Sequence, residues 1–205
     1  MTIVRAKAEI MFPVDGQEML RRIEQIGRVC YKSEENITED SAETFVRGLI
    51  KRGHESVLEH CSFTARFLCD RGVTHEIVRH RIASYSQEST RYCNYSKGKF
   101  GSEITIIEPL YVTGGEAFDD WMQACHESEF WYFKLLNKGL TPQEARAVLP
   151  NSLKSELIMT TNLREWRHFF ELRTSPAAHP QMREVACMLL KEVKEQIPII
   201  FDDID

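Results

Sequence analysis

The sequence predicts an α+β fold, a single domain with a mixed or antiparallel sheet flanked by helices. Short β-branched and aromatic stretches alternate with longer stretches of helical period, without the strict strand–helix–strand order of a parallel sheet. No internal repeat, low-complexity tract or Pro- or Ser-rich linker interrupts the 205 residues, so residues 1–205 are expected to form one domain. The composition, 42% hydrophobic and 28% charged, is that of a folding chain rather than a disordered one.

Taken in order, Thr2 to Phe12 reads as a first strand closed by the turn Pro13-Val14-Asp15-Gly16. Met19, Leu20, Ile23, Ile26 and Val29 recur at helical spacing, and Ser41 to Arg52 fits a second helix stopped by Gly53. The run from Cys61 to Cys69 favours a strand, broken at Asp70-Arg71-Gly72, and Val73 to Arg81 reads as a helix. Residues 84–102, dense in Ser, Asn, Gly and Tyr with no period, read as a long ordered loop, followed by a strand within Ser102 to Val112. Gly115 to Lys138 is a long amphipathic helix closed by Gly139. Thr141-Pro142-Gln143-Glu144 combines a capping residue, Pro at the first helical position and Glu three residues on, which starts a short helix limited by Pro150. Leu153 to Thr161 reads as a strand, and Leu163 to Leu172 and Gln181 to Gln196 as helices.

Charge and cysteine usage narrow the function. With 26 Lys and Arg against 31 Asp and Glu the net charge is −5, which argues against a general nucleic-acid or membrane-surface binder. No apolar run approaches the roughly 20 residues that span a bilayer, and the opening stretch lacks a signal-peptide core, so a cytoplasmic protein is expected. The six cysteines are scattered without a CxxC pair, which suits reduced, mostly buried thiols rather than disulfides or structural zinc.

Against this acidic background Arg79, Arg81 and Arg91 cluster, with Arg146, Arg164, Arg167 and Arg173 further on. Guanidinium groups offer planar paired donors to phosphate and carboxylate oxygens, and Ser84, Ser86, Ser89 and Thr90 add hydroxyls, so a local anion site for a phosphorylated ligand is expected. His54 and His60 stand six residues apart, roughly 120° around a helix, and His75 and His80 five apart, so neither pair predicts a shared metal. No GxSxG, P-loop or GxGxxG motif appears, which removes motif support for a serine hydrolase, an NTPase or a Rossmann enzyme.

Arg79-His80-Arg81, then seven residues, then Ser89-Thr90-Arg91-Tyr92, resembles the signature of the flavin-dependent thymidylate synthases, the ThyX family. Gly53-His54-Glu55-Ser56 with Glu59-His60, Ala145-Arg146-Ala147-Val148-Leu149-Pro150, Asn162-Leu163-Arg164 and Phe169-Phe170-Glu171-Leu172-Arg173 follow in the family's order, over roughly residues 50 to 200. The resemblance implies a ThyX-like fold and an FAD-dependent methyltransferase. Such an enzyme converts dUMP to dTMP with methylenetetrahydrofolate as one-carbon donor and NADPH as reductant, and works as a homotetramer.

By the same resemblance His54, Ser56, Glu59, Arg79, His80, Arg81, Gln87, Asn162, Arg164 and His168 would hold the flavin. Glu76, Arg79, Gln87, Glu88, Ser89, Thr90, Arg91, Arg146 and Arg173 would surround the nucleotide, and Arg173 would be catalytic, facing the uracil and stabilising charge at N3 and O2. Ser89 is assigned to substrate binding rather than to attack, since no His or Asp is placed by sequence to activate it. The chain departs from the family at Glu88, where an apolar residue is usual, and Glu76 adds a second carboxylate near the expected phosphate; a carboxylate facing the phosphate would weaken anion binding, whereas Glu88 contributing only its backbone would change it little. The alternatives are a related flavin- and folate-dependent C5 modification of dUMP, such as hydroxymethylation, and a non-catalytic nucleotide-binding protein.

Overall fold

The computed structural model describes residues 1–112 and 114–205, the Lys99 side chain apart. Its elements are β1 (Thr2–Val4), β2 (Lys7–Ile10), α1 (Gly16–Val29), α2 (Ser41–Lys51), β3 (Ser62–Asp70), α3 (Arg71–Ile77), β4 (Ser84–Gln87), β5 (Thr105–Ile107), α4 (Glu116–Asn137), α5 (Pro142–Ala145), β6 (Lys154–Asn162), α6 (Leu163–Arg173) and α7 (Pro180–Gln196). Four strands form a sheet in the order β2-β3-β6-β4, and β1 pairs in parallel with β5. This is the α+β architecture that the sequence predicts.

The chain forms two compact units, each assembled from three segments. The first comprises Met1–Lys7, Phe67–Arg79 and Ser86–Leu157, and the second Ala8–Arg66, His80–Tyr85 and Ile158–Asp205. In the first unit Tyr95, Ile104, Ile106, Cys125, Tyr132, Ala145 and Leu153 make the core, with α4 supplying Cys125 and Tyr132. In the second, α6 buries Trp166, Phe169 and Phe170 completely. Phe63 of β3 stacks on Trp166 at 4.5 Å, the indole N–H donates to the Phe63 carbonyl, and Phe201 meets Phe170 edge-on at 5.5 Å. Aromatic pairs in these geometries add about 0.5–1.5 kcal/mol each beyond their burial. They hold α6 firmly, and α6 carries much of the polar chemistry described below.

Local signals set most boundaries. Gly53 and Gly139 adopt φ of +68° and +93°, the left-handed conformation that lets α2 and α4 end where glycine is expected. Thr141 and Glu144 form the reciprocal capping box that begins α5. Asp70, expected only to interrupt a strand, also caps α3 by accepting from the Val73 amide at 2.8 Å.

Four expectations are corrected. The stretch Thr2 to Phe12 is two strands, because β1 pairs with β5 while β2 joins the other sheet. The helix from Val73 ends at Ile77, where a turn from Glu76 to Arg79 closes it, so Arg79, His80 and Arg81 lie in irregular chain and not on the helix that carries Glu76. The long loop begins with a strand, β4, which takes an outer place beside β6 despite its polar sequence. The strand predicted up to Val112 stops at Ile107, two residues before Pro109, whose missing N–H cannot serve a ladder.

Candidate active site

In the second unit a cleft of about 420 Å³ is lined by Glu55, Glu59, Arg81, Ile82, Asn162, Arg164, Glu165, His168 and Glu171. Three pieces of chain build it. The 3₁₀ turn Glu55–His60 is anchored by fully buried Leu58 and turns Glu55 and Glu59 outward. The irregular stretch after α3 supplies Arg81 and exposed Ile82 across a cis peptide bond, and the Ile82 carbonyl is held by the Thr161 hydroxyl. The junction of β6 and α6 supplies the rest, because Asn162 ends the strand and caps the helix, accepting from the Glu165 amide at 2.9 Å.

Within α6 the apolar face is sealed, so the polar residues at positions 164, 165, 168, 171 and 173 have other surroundings. Arg164 pairs with Glu59 at 2.6 Å, both about half exposed. Buried Arg167 instead binds inward, to Glu55 at 3.0 Å and to both carboxylate oxygens of Asp203 at 2.7 and 2.9 Å, and also donates to the Ile200 carbonyl. Arg173, the last residue of α6, donates its Nε–H to His80 Nε2 at 2.9 Å. His80 Nδ1 faces Glu165 Oε1 at 3.3 Å, and its ring packs edge-on against Phe169 at 4.9 Å and near His168 at 5.8 Å. Tyr85 donates its phenol proton to the His80 carbonyl at 2.8 Å, fixing the backbone there.

Burial, followed by the charges of Arg173 and His168, pushes the His80 imidazole down to about 4, so it is neutral at pH 7. Burial raises the Glu165 carboxyl above its ordinary range, opposed by His168. The cleft therefore offers guanidinium donors from Arg81 and Arg164, and Glu165 in its lining leads to the neutral His80 imidazole that accepts from Arg173.

The first unit gathers the other expected residues. Gln87 Nε2 donates to the hydroxyls of Thr74 and Ser155 at 2.9 and 3.1 Å, both buried. Glu88 is tied to Lys154 Nζ at 2.6 Å and accepts from the Tyr95 hydroxyl at 3.1 Å. Lys154 thus balances the Glu88 charge. Ser89 Oγ accepts from the Arg91 amide, and its carbonyl accepts from the Tyr92 and Cys93 amides, making a tight turn. Arg146 donates to the buried Thr90 hydroxyl at 3.2 Å, while the Arg91 guanidinium lies over the Tyr92 ring. Among the described residues, no His or carboxylate bonds to the Ser89 hydroxyl.

The expected residues thus fall into two groups. Glu59, Arg81, Asn162, Arg164 and His168 line one cleft, with His80 and Arg173 bonded to each other in the same unit, and exposed His54 and Ser56 on the segment that supplies Glu55 and Glu59. Glu76, Arg79, Gln87, Glu88, Ser89, Thr90, Arg91 and Arg146 belong to the first unit. Sequence reasoning missed Glu165, Glu171, Ile82 and the lining role of Glu55. Glu55 and Glu171 stood inside the quoted motifs, and Glu165 follows Asn162 at the spacing of a capping box.

Residues 14–199 match the family Thy1, described as thymidylate synthase complementing protein. The chain belongs to the Thy1 family. Among relatives, a protein of Pyrococcus abyssi named flavin-dependent thymidylate synthase is 38% identical over 173 residues, which cover 82% of this chain and 70% of that one. One of the same name from Geobacter sulfurreducens is 36% identical over 183 residues, covering 86% and 78%. The Thy1 chain also shares its fold with a UMP/dUMP methylase, PolB, from Streptomyces cacaoi, solved with 5-Br dUMP. The TM-score is 0.81 at 23% identity, over 98% of this chain and 95% of that one.

Proposed function

We propose that the chain is a flavin-dependent thymidylate synthase, converting dUMP to dTMP by reductive methylation with methylenetetrahydrofolate and NADPH through FAD. The observation that carries this reading is that Glu59, Arg81, Asn162, Arg164 and His168, drawn from three separate stretches of a Thy1-family chain, line one cleft.

The donor set there fits a flavin dinucleotide. Arg81 and Arg164 offer guanidinium N–H groups to phosphate oxygens or to the electron-rich edge of the ring system, and Glu59 suits amine or hydroxyl donors. His54, Ser56 and His80, with Arg79 and Gln87, complete the set assigned to the flavin. When bound, FAD supplies the hydride that finishes the methyl group, while the folate supplies its carbon. Arg173 stabilises negative charge on the uracil as C5 becomes nucleophilic, and its bond to His80 fixes the plane of the guanidinium. Arg91, Arg146 and the turn at Ser89 and Thr90 hold the nucleotide phosphate, with Glu88 contributing backbone rather than charge, and Glu76 belongs to the same substrate-binding set.

We take residues 1–205 as one such domain, since neither unit is a continuous stretch. The same reading makes the protein a cytoplasmic homotetramer; among the described residues, no helix is long and apolar enough to cross a membrane.

An absorbance spectrum after FAD addition and removal of excess tests the reading, followed by anaerobic reoxidation of the reduced flavin with dUMP and methylenetetrahydrofolate. Retained flavin, reoxidised only with both substrates and giving a nucleotide heavier by one methyl, is expected. A hydroxymethyl product would move the assignment to that related reaction. Failure to retain flavin would leave only a nucleotide-binding protein.

A further inference from the structure

Glu165 stands three residues after the capping Asn162, the place from which a glutamate ordinarily reaches back to the cap's own amide. Its carboxylate goes elsewhere, to His80 Nδ1 at 3.3 Å. The opposite ring nitrogen, Nε2, accepts the Arg173 Nε–H at 2.9 Å. An arginine cannot give up that proton, so Nε2 must present a lone pair, and the proton of a neutral ring sits on Nδ1, where Glu165 accepts it. The depressed pKa of His80, about 4, keeps the ring in this singly protonated state at neutral pH.

We propose that Glu165 is a positioning residue for the reaction: it fixes the His80 tautomer that holds the Arg173 guanidinium in place. The inference rests on the assignment of Arg173 to the uracil. A carboxylate, an imidazole and a guanidinium then form one hydrogen-bonded series, in which Glu165 acts on Arg173 through His80.

A second use of the same side chains competes with this one. His80, Glu165 and His168 bring ligand atoms within 4.8 Å of one another, a spacing that a metal ion could bridge. A metal on His80 Nδ1 would leave the proton of the neutral ring on Nε2, facing the Arg173 N–H donor to donor. The Arg173 bond therefore favours a proton on Nδ1.

Long-range proton–nitrogen NMR of ¹⁵N-histidine protein, with His80 assigned by its loss in H80Q, reads the tautomer directly and needs neither flavin nor substrate. The expected result is a protonated Nδ1 and a bare Nε2 at pH 7. In E165A the Nδ1 proton loses its acceptor, so the Nε2–H tautomer should become populated at the expense of the Arg173 bond, and kcat should fall about tenfold to a hundredfold, the range typical for loss of an outer orienting partner, with KM for dUMP little changed. E165Q keeps a carbonyl acceptor without the charge, and should restore both the tautomer and most of kcat. A proton on Nε2 in the unaltered protein would overturn the proposal, as would an E165A protein with unchanged tautomer and kcat. Should the unaltered protein show the Nδ1–H tautomer yet make no dTMP, the assignment of the reaction fails, and Glu165's part in it with it, while the hydrogen-bonded series itself stands.

Discussion

Lys154 Nζ lies 2.6 Å from Glu88 Oε2, with the two side chains only 20% and 12% exposed, and Tyr95 adds a hydrogen bond to the same carboxylate. The pair joins the first residue of β6 to the residue that follows β4. The carboxylate that looked like an obstacle to phosphate is thus an internal tether for the turn at Ser89 and Thr90.

E88A would leave the Lys154 ammonium half-buried without its partner and is expected to lower unfolding free energy by about 1–3 kcal/mol. Urea unfolding measures it. Restoration by K154M in the E88A background would show that the cost came from the stranded charge. No loss in E88A would remove the tether from the account.

The imidazole of His80 gives the fold a definite pH response. Its pKa falls from 6.5 to about 4 on folding, so between those values the unfolded chain binds a proton that the folded chain refuses. Stability is therefore full above about pH 6.5, declines as pH falls through the window and levels off below about 4, by at most about 3.5 kcal/mol at about 1.4 kcal/mol per unit. Glu165 acts with the opposite sign. Its raised carboxyl adds stability below its ordinary 4.5 that is lost as pH climbs through the folded value, which blunts the lower end of the window. Urea titrations from pH 7 to 4 should show a steeper loss in the unaltered protein than in H80Q, and equal slopes would contradict the assignment.

Exposed Arg164 and buried Arg167 sit three residues apart on α6 and should behave oppositely. R164A breaks only a solvent-screened pair with Glu59, so its unfolding midpoint is expected to stay in place while flavin retention drops. An R164A protein that keeps its flavin would remove this residue from the cofactor site.

R167K is the converse case. Lysine carries the charge but cannot reproduce the paired donors to Asp203 together with the bond to Glu55, so a loss of about 3 kcal/mol in urea unfolding is expected. A midpoint equal to that of the unaltered protein would show that the guanidinium geometry contributes nothing.

What could be read in the sequence was local. Gly53, Gly139 and the Thr141–Glu144 box act within a few residues, and each does what its chemistry requires. The apolar positions of α6 likewise announce a buried face. β4 was hidden because Ser84-Tyr85-Ser86-Gln87 has no apolar alternation, and its place is decided by the strand beside it. The end of α3 was hidden because nothing between Ile77 and Arg81 breaks a helix, and the turn is set by tertiary surroundings. Several candidate residues were legible as motifs, yet their connections were not. Glu88 meets a lysine 66 residues away, and Glu165 meets a histidine 85 residues away across chain that no spacing rule links. Glu165 in particular carries no signal in the sequence beyond its spacing after Asn162.

Because α6 sets Asn162, Arg164, Glu165, His168 and Arg173 on one rigid screw, that stretch should tolerate a change of length far less than a change of residue. One amino acid inserted after Trp166 would turn everything downstream by about 100° and advance it about 1.5 Å, swinging Arg173 away from His80 and putting His168 where Phe169 fills the aromatic face. Deep insertion and deletion scanning of the gene should therefore show a silent gap from Leu163 to Arg173 that runs on into β6 on one side and ends on the other in the loop before α7, where added residues survive.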